Sequence, residues 1–275
     1  MKSINMKYLA GGPIEQVKPL PPYDEKICTF LAELSKKLQK DRRAMAYPDV
    51  LSFAFFCRKA NIAKLKAEFE DGYARLGRGL AFHIAPSNVP VNAAFTYVFG
   101  LLAGNANVVR VSSKDFEQVK IICDVMQTMF DGGNYDEIRD MTAFVSYGHS
   151  QEINDKLSLM ANSRIIWGGD ATIAEIRKSP IGSRCTELTF ADRYSFGILN
   201  PMKIADDSEE EVKRLAEQFY NDTYLMDQNA CSTPHLILWK SDKSSKAEEG
   251  KKRFWNAVYK LSLIHISEPT RHAQI

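Results

Sequence analysis

Apolar residues in this chain fall into short uncharged runs separated by amphipathic stripes, and the clearest alternation lies between Gly79 and Ser113. The run 80–84, LAFHI, carries no acid or lysine and predicts a strand. Pro86 and Pro90 punctuate the loop that follows. The uncharged run 91–103, closed by Gly104, predicts a buried helix. Residues 107–111 are a second β-branched run, and Ser112 and Ser113 are expected to cap a helix carrying Lys114, Asp115 and Glu117 near its start. Together these elements make one βαβ unit. Parallel strands joined in this way bind ligands at their carboxyl ends, here the loops 85–89 and 112–114.

The same alternation continues on both sides. Residues 1–22 end in Pro-Leu-Pro-Pro and read as an extended arm. Phe30, Leu31, Leu34 and Leu38 share one helical face, with Pro48 closing that segment. A second helical stretch runs from about Val50 to Phe69 and stops at Gly72. Beyond the central unit, Phe116, Val119, Cys123, Met126 and Phe130 form a helical stripe ended by Asp131-Gly132-Gly133. Strands are predicted at 142–146, 164–167 and 195–199, with helices at 150–160 and 170–178. Strands alternating with helices imply a doubly wound parallel sheet with right-handed crossovers. After Pro201 the acidic run 206–211 opens a helix reaching Tyr220. A polar loop then leads to an apolar strand at 235–239, a charged loop at 240–252, and the start of a helix at 254–260.

Composition narrows the class of function. The chain has 275 residues, 45% hydrophobic and 25% charged, and its 36 Lys and Arg nearly balance 34 Asp and Glu. The resulting +2 charge gives no reason to expect a nucleic-acid or anionic-membrane surface. Cys28, Cys57, Cys123, Cys185 and Cys231 are widely spaced without a Cys-x-x-Cys pair, which argues against a disulfide framework or zinc site. No run reaches the roughly 20 apolar residues of a membrane span, and the N-terminus lacks a signal-peptide core. A cytoplasmic protein is expected.

Candidate chemistry is spread along the chain. Cys231 stands in a loop of small and polar residues rather than on an apolar stripe, so it is either an accessible nucleophile or an ordinary loop cysteine. Asn88, at a strand-to-helix turn, is either an oxyanion donor or a helix cap. Gly168-Gly169-Asp170 follows a strand and opens a helix, a backbone arrangement able to receive a phosphate. A GxGxxG fingerprint is absent. His83 and His149 are acid-base candidates or structural residues, and Glu187 either faces the cleft or is a surface carboxylate.

Four segments, HIAPSNVPVNAAFTYVFGLLAGNANVVRVSS, RIIWGGDATIAEIR, RYSFGILNP and DQNACSTPHLILW, resemble the LuxC-type acyl-CoA reductases, a branch of the aldehyde dehydrogenase superfamily. The resemblance covers roughly residues 76–239, in the family's order. It implies Cys231 as the acyl-accepting nucleophile, Asn88 in the oxyanion hole, and Ser146, Gly168, Gly169 and Asp170 around the dinucleotide. It places Arg110, Ser112 and Ser113 at the adenosine ribose. No acidic residue stands there to bind a 2′-hydroxyl, so NADPH is the expected cofactor. Glu187 falls about where the superfamily keeps its general base, although its 44-residue separation from Cys231 (231 − 187) is wider than in ordinary aldehyde dehydrogenases.

The implied activity is reduction of a fatty acyl-CoA, or another acyl thioester, to the aldehyde. The expected partners are an acyl-CoA or acyl-protein and, by family precedent, further copies of the chain. An acyl-phosphate reductase of the same superfamily and an inactive dinucleotide-binding fragment are the competing readings. The expected division is an N-terminal arm and helices (1–75), a dinucleotide-binding domain (76–199), and the beginning of a catalytic domain (200–260). Residues 261–271, LSLIHISEPTR, look like the translation of a sequencing-library adapter. The segment 261–275 is therefore expected to be a non-native, unpacked extension of a truncated chain.

Overall fold

The computed structural model describes residues 6–224, 228, 230–241 and 244–267, with side chains to residue 261. The chain divides into two units at Ala191/Asp192.

The first unit opens with β1 (Lys7–Gly11), a strand where only an extended arm is expected. Helix α1 (Glu25–Lys40) follows, its N-terminus capped by the Asp24 carboxylate accepting from Lys26 N, and its apolar stripe fully buried. The single helix expected across 50–69 is two helices, α2 (Pro48–Phe56) and α3 (Lys59–Phe69). Arg58 is extended at the break, and the Asn61 amide takes up the Phe56 carbonyl. Pro48 begins α2 rather than closing α1, as its missing N–H allows.

The central unit forms β2 (Leu80–Ile84), α4 (Asn92–Leu102) and β3 (Ala106–Arg110). Helix α5 (Glu117–Asp131) starts later than expected. Ser112 and Ser113 do not cap it; the Ser112 hydroxyl instead accepts from Lys114 N at 3.2 Å in a local turn, and Phe116 occupies the cap position. A short α6 (Asp136–Arg139) precedes β4 (Thr142–Ser146), then come α7 (Gln151–Met160), β5 (Ser163–Trp167) and α8 (Asp170–Arg177). A further strand, β6 (Thr186–Phe190), was not expected.

The sheet order is β1-β4-β3-β2-β5-β6, parallel throughout except for β1, which runs antiparallel to β4. Phe82 and Arg164 are register partners on β2 and β5, so His83 and Arg164 point to opposite faces. His83 meets α4 on one face, and Arg164 meets α7 and α8 on the other. The chain is therefore wound on both sides of the sheet. The order turns at β2, which has β3 on one side and β5 on the other, and ligands of open α/β sheets bind above such a point.

The second unit pairs β7 (Ser195–Leu199) in parallel with β8 (Pro234–Trp239), so β7 lies apart from the six-stranded sheet. Helices α9 (Pro201–Asp206), α10 (Glu209–Tyr224) and α11 (Ser245–Ser267) cover one face of this pair through Ile204, Val212, Phe254 and Val258, with Trp239 against them. Ser208 and Glu211 exchange hydrogen bonds to each other's backbone N–H, a capping box that starts α10. Residues 245–252 are helix rather than charged loop. Gly250 is required there, because a Cβ would sit 1.9 Å from the Pro201 carbonyl oxygen. Helix α11 continues to Ser267 and Leu261 packs on its core, in contrast to the expected unpacked extension. The remainder of that call, residues 268–275, lies outside the described residues.

Candidate functional site

The carboxyl ends of β2, β3, β4 and β5 bring together the residues that the resemblance assigns to the dinucleotide. Asn88 is exposed in the loop after β2. Val91, not Asn88, occupies the N-cap position of α4, and its side chain makes no cap bond. Lys114 Nζ reaches the Ser87 carbonyl at 3.4 Å, linking the loops that follow β2 and β3. Ser146 ends β4 half-buried, and Gly168 N donates to the Phe190 carbonyl at 3.2 Å. Gly169 is the N-cap of α8, and a Cβ there would project into open space. That opening lets a ligand approach the backbone N–H groups of the helix start. Asp170 is exposed in the first turn, where its carboxylate suits ribose hydroxyls better than phosphate.

Arg110, at the end of β3, lays its guanidinium 4.6 Å from the centroid of the Tyr147 ring. Tyr147 is buried, and its phenol donates to Asn154 Oδ1 on α7 at 2.8 Å. Burial pushes that phenol's pKa up, with Arg110 opposing. With Ser112, Ser113 and Lys114 alongside and no acid from 110 to 114, the donor set fits a phosphorylated ribose. Tyr147 carried no signal in the sequence beyond following a strand.

His83 is fully enclosed and serves the fold. The Asn107 amide N–H₂ donates to the Asn105 carbonyl at 2.7 Å, which turns Asn107 Oδ1 toward His83 Nε2 at 3.0 Å. Nε2 must then carry the proton, and Nδ1 accepts from the Thr96 hydroxyl at 2.8 Å. Thr96 Oγ1 in turn accepts from Trp167 Nε1 at 3.2 Å. Burial lowers the His83 pKa to about 4, against the opposing bond to Asn107, so the ring is neutral. This chain of donors ties α4, β2, β3 and β5 together and fixes Trp167, whose indole stacks on Phe190 at 3.9 Å. His149 lies exposed in the turn before α7.

Glu187, on β6, points to the α7–α8 face. Its carboxylate accepts from Arg164 Nε at 2.8 Å and from Arg177 Nε at 2.7 Å. Burial would raise its pKa, but the hydrogen bonds from Arg177 and Arg164 outweigh this and hold it below the usual carboxylate range. A carboxylate with both oxygens engaged by guanidinium groups is a poor proton acceptor. Its surroundings therefore favour a structural role over the general-base role implied by the resemblance.

In the second unit Cys231 sits in a turn just before β8, its carbonyl accepting from the Ser195 hydroxyl at 2.6 Å. It is the one exposed cysteine of the five. Cys57 and Cys123 are buried, Cys28 and Cys185 intermediate, and burial raises the thiol pKa of all four. For Cys57 the rise is to about 12. Among the described residues no cluster of His, Cys, Asp and Glu could hold a metal ion, and no helix is long and apolar enough to cross a membrane.

A family model described as acyl-CoA reductase (LuxC) matches residues 6–265. The chain belongs to that family. Within the family, the six-stranded sheet and its helices share the aldehyde dehydrogenase fold. PnpE from Pseudomonas sp. WBC-3 superposes with a TM-score of 0.59 at 14% identity, over 86% of this chain and 50% of that one. Betaine aldehyde dehydrogenase from Staphylococcus aureus, solved with NAD+, gives 0.57 at 16% identity, over 86% and 49%. A variant of 1-pyrroline-5-carboxylate dehydrogenase from Thermus thermophilus gives 0.57 at 14%, over 89% and 49%. The LuxC chain thus spans about half the length of these structures. No curated protein matches the sequence.

Proposed function

We propose that the protein reduces a fatty acyl-CoA, or another acyl thioester, to the aldehyde through an acyl group carried on Cys231, with NADPH as reductant, in the cytoplasm. The observation that carries the reading is the LuxC family match across nearly the whole chain. The exposed Cys231, in contrast to four cysteines whose thiolates burial disfavours, supports the choice of nucleophile. As thiolate, Cys231 attacks the thioester carbonyl. The family pattern assigns the developing oxyanion to the Asn88 amide and the Cys231 N–H, each donor being worth about 3 kcal/mol. The C–S bond to coenzyme A then breaks, its thiolate takes a proton from solvent, and a new thioester remains on Cys231.

Residues that would hold NADPH are Arg110, Ser112, Ser113 and Ser146, with the Gly168 and Gly169 backbone and the Asp170 carboxylate at the ribose. When bound, NADPH supplies hydride to the acyl carbon. Departure of the aldehyde leaves the Cys231 thiolate free for another cycle. Because reduction uses no hydrolytic water, a free general base at Glu187 is not required.

The test is incubation with a radiolabelled acyl-CoA. A hydroxylamine-sensitive label that disappears in Cys231→Ala is expected. Labelling that survives this substitution would overturn the reading, and labelling from an acyl phosphate in place of acyl-CoA would assign the chain to the acyl-phosphate branch.

A further inference from the structure

Arg110 is held in an unusual way for a guanidinium near a sheet edge. Among the described residues it has no carboxylate partner and no side-chain hydrogen bond; its guanidinium carbon lies over the Tyr147 ring, 4.6 Å from the centroid. The ring itself cannot swing away. Tyr147 is only 5% exposed, and its hydroxyl donates to Asn154 Oδ1 at 2.8 Å, with Asn154 buried on α7. Arg110 and Val145 are register partners on β3 and β4, so Tyr147 leaves β4 two residues beyond the point opposite Arg110.

Stacking on an aromatic face leaves the edge N–H groups of a guanidinium directed outward and unpaired, which is the arrangement that binds a phosphate in a forked contact. An unsupported arginine would have to give up its rotamer freedom on binding; this one has already done so.

We propose that Tyr147 is a positioning residue for cofactor discrimination, its ring aligning the Arg110 guanidinium to receive the 2′-phosphate of NADPH. The inference rests on the reading of Arg110 as the 2′-phosphate ligand. The ring contributes nothing to NADH binding, since NADH lacks that phosphate. Discrimination between the two dinucleotides, and not affinity in general, is what Tyr147 sets.

Equilibrium titration of the whole chain with NADPH and with NADH, followed by quenching of tryptophan fluorescence, tests this without any turnover. The wild-type chain is expected to bind NADPH more tightly than NADH. Tyr147→Leu, which keeps an apolar side chain but removes the π face, should reduce the NADPH-to-NADH affinity ratio about three- to tenfold with the NADH Kd little changed. Tyr147→Phe keeps the face and should keep the ratio. Arg110→Lys supplies a second arm at a half-exposed position that does not endanger folding. It retains charge without the stacked plane, and the ratio should fall there too. A Tyr147→Leu chain with the wild-type ratio, alongside an Arg110→Ala chain that loses it, would overturn the role of Tyr147 and leave that of Arg110 standing. A full wild-type ratio in Arg110→Lys would overturn the alignment argument even if the leucine variant did not fold. A wild-type chain with no NADPH preference would overturn both.

Discussion

Arg164 Nε donates to Glu187 Oε2 at 2.8 Å between neighbouring strands β5 and β6, and Arg164 is 2% exposed. The same guanidinium donates to the Ser158 hydroxyl at 3.1 Å and the Ser179 carbonyl at 2.9 Å. One buried cation thus joins the edge of the sheet to α7 and to the turn after α8. Removing its counter-charge strands it. Glu187→Gln should destabilise the chain by about 3 kcal/mol in urea unfolding, while acylation of Cys231 under native conditions proceeds at the wild-type rate. A large loss of acylation with unchanged stability would restore Glu187 to the chemistry. Because the folded pKa of Glu187 is depressed, its stabilisation is complete above the ordinary carboxylate value of 4.5 and is lost as pH falls through the folded value.

His83 gives a second pH dependence, at higher pH. Its pKa falls from 6.5 to about 4 on folding, so the unfolded chain takes up a proton that the folded chain refuses. Stability from this group is complete above 6.5 and is lost between 6.5 and 4. Between pH 7 and pH 5 the expected loss is about 2 kcal/mol. A His83→Gln chain should show a correspondingly flatter profile; parallel profiles for the two chains would mean that His83 titrates normally.

Thiol chemistry should separate the cysteines by exposure. Iodoacetamide in native buffer is expected to alkylate Cys231 first, with Cys57 and Cys123 reacting only after unfolding, as read by peptide mass spectrometry. Early labelling of Cys123 would show that the α5 stripe opens readily.

Asn88 is exposed and is not the cap of α4, so its replacement should leave the helix intact. Asn88→Ala is expected to slow acylation by acyl-CoA about a hundredfold with the NADPH Kd unchanged. A fall in thermal stability with acylation retained would assign it to the fold.

The βαβ core was legible because its runs are apolar or β-branched and are punctuated by Pro86, Pro90 and Gly104. Leu80–Ile84 and Thr142–Ser146 appear as strands with the expected bounds, and α7 starts at the Ser150 cap. Edge elements were not legible. β1 and β6 are five-residue segments of mixed polarity whose strand character comes from pairing with β4 and β5. The start of α11 was hidden by its charges. Arg253, just past the stretch expected to be a charged loop, donates to the carbonyls of Ile204 and Ala205 at 3.0 and 2.7 Å, closing α9. At the candidate site the chemistry-bearing residues could be picked out by type and order. The partners that orient them could not: Tyr147 and Arg164 acquire their contacts only when strands distant in sequence lie side by side.

The β7–β8 pair carries the last prediction. In its parallel register Phe196 stands beside Leu236 and Ile198 beside Leu238, and these four side chains are 55%, 45%, 61% and 44% exposed. The opposite face holds Leu199 and Trp239 against the helices. One side of this small sheet is thus an apolar strip with no cover among the described residues, and such a surface promotes association in water. Ile198→Lys combined with Leu236→Glu should raise the concentration at which light scattering detects self-association. The melting temperature should stay within a few degrees, because little buried contact is removed. The two substitutions place opposite charges on neighbouring strands, so they do not repel one another across the ladder. If the double variant instead melts far earlier, the strip is packed in solution and the uncovered face belongs to no free state of the chain. If it melts normally and associates as before, self-association proceeds through another surface.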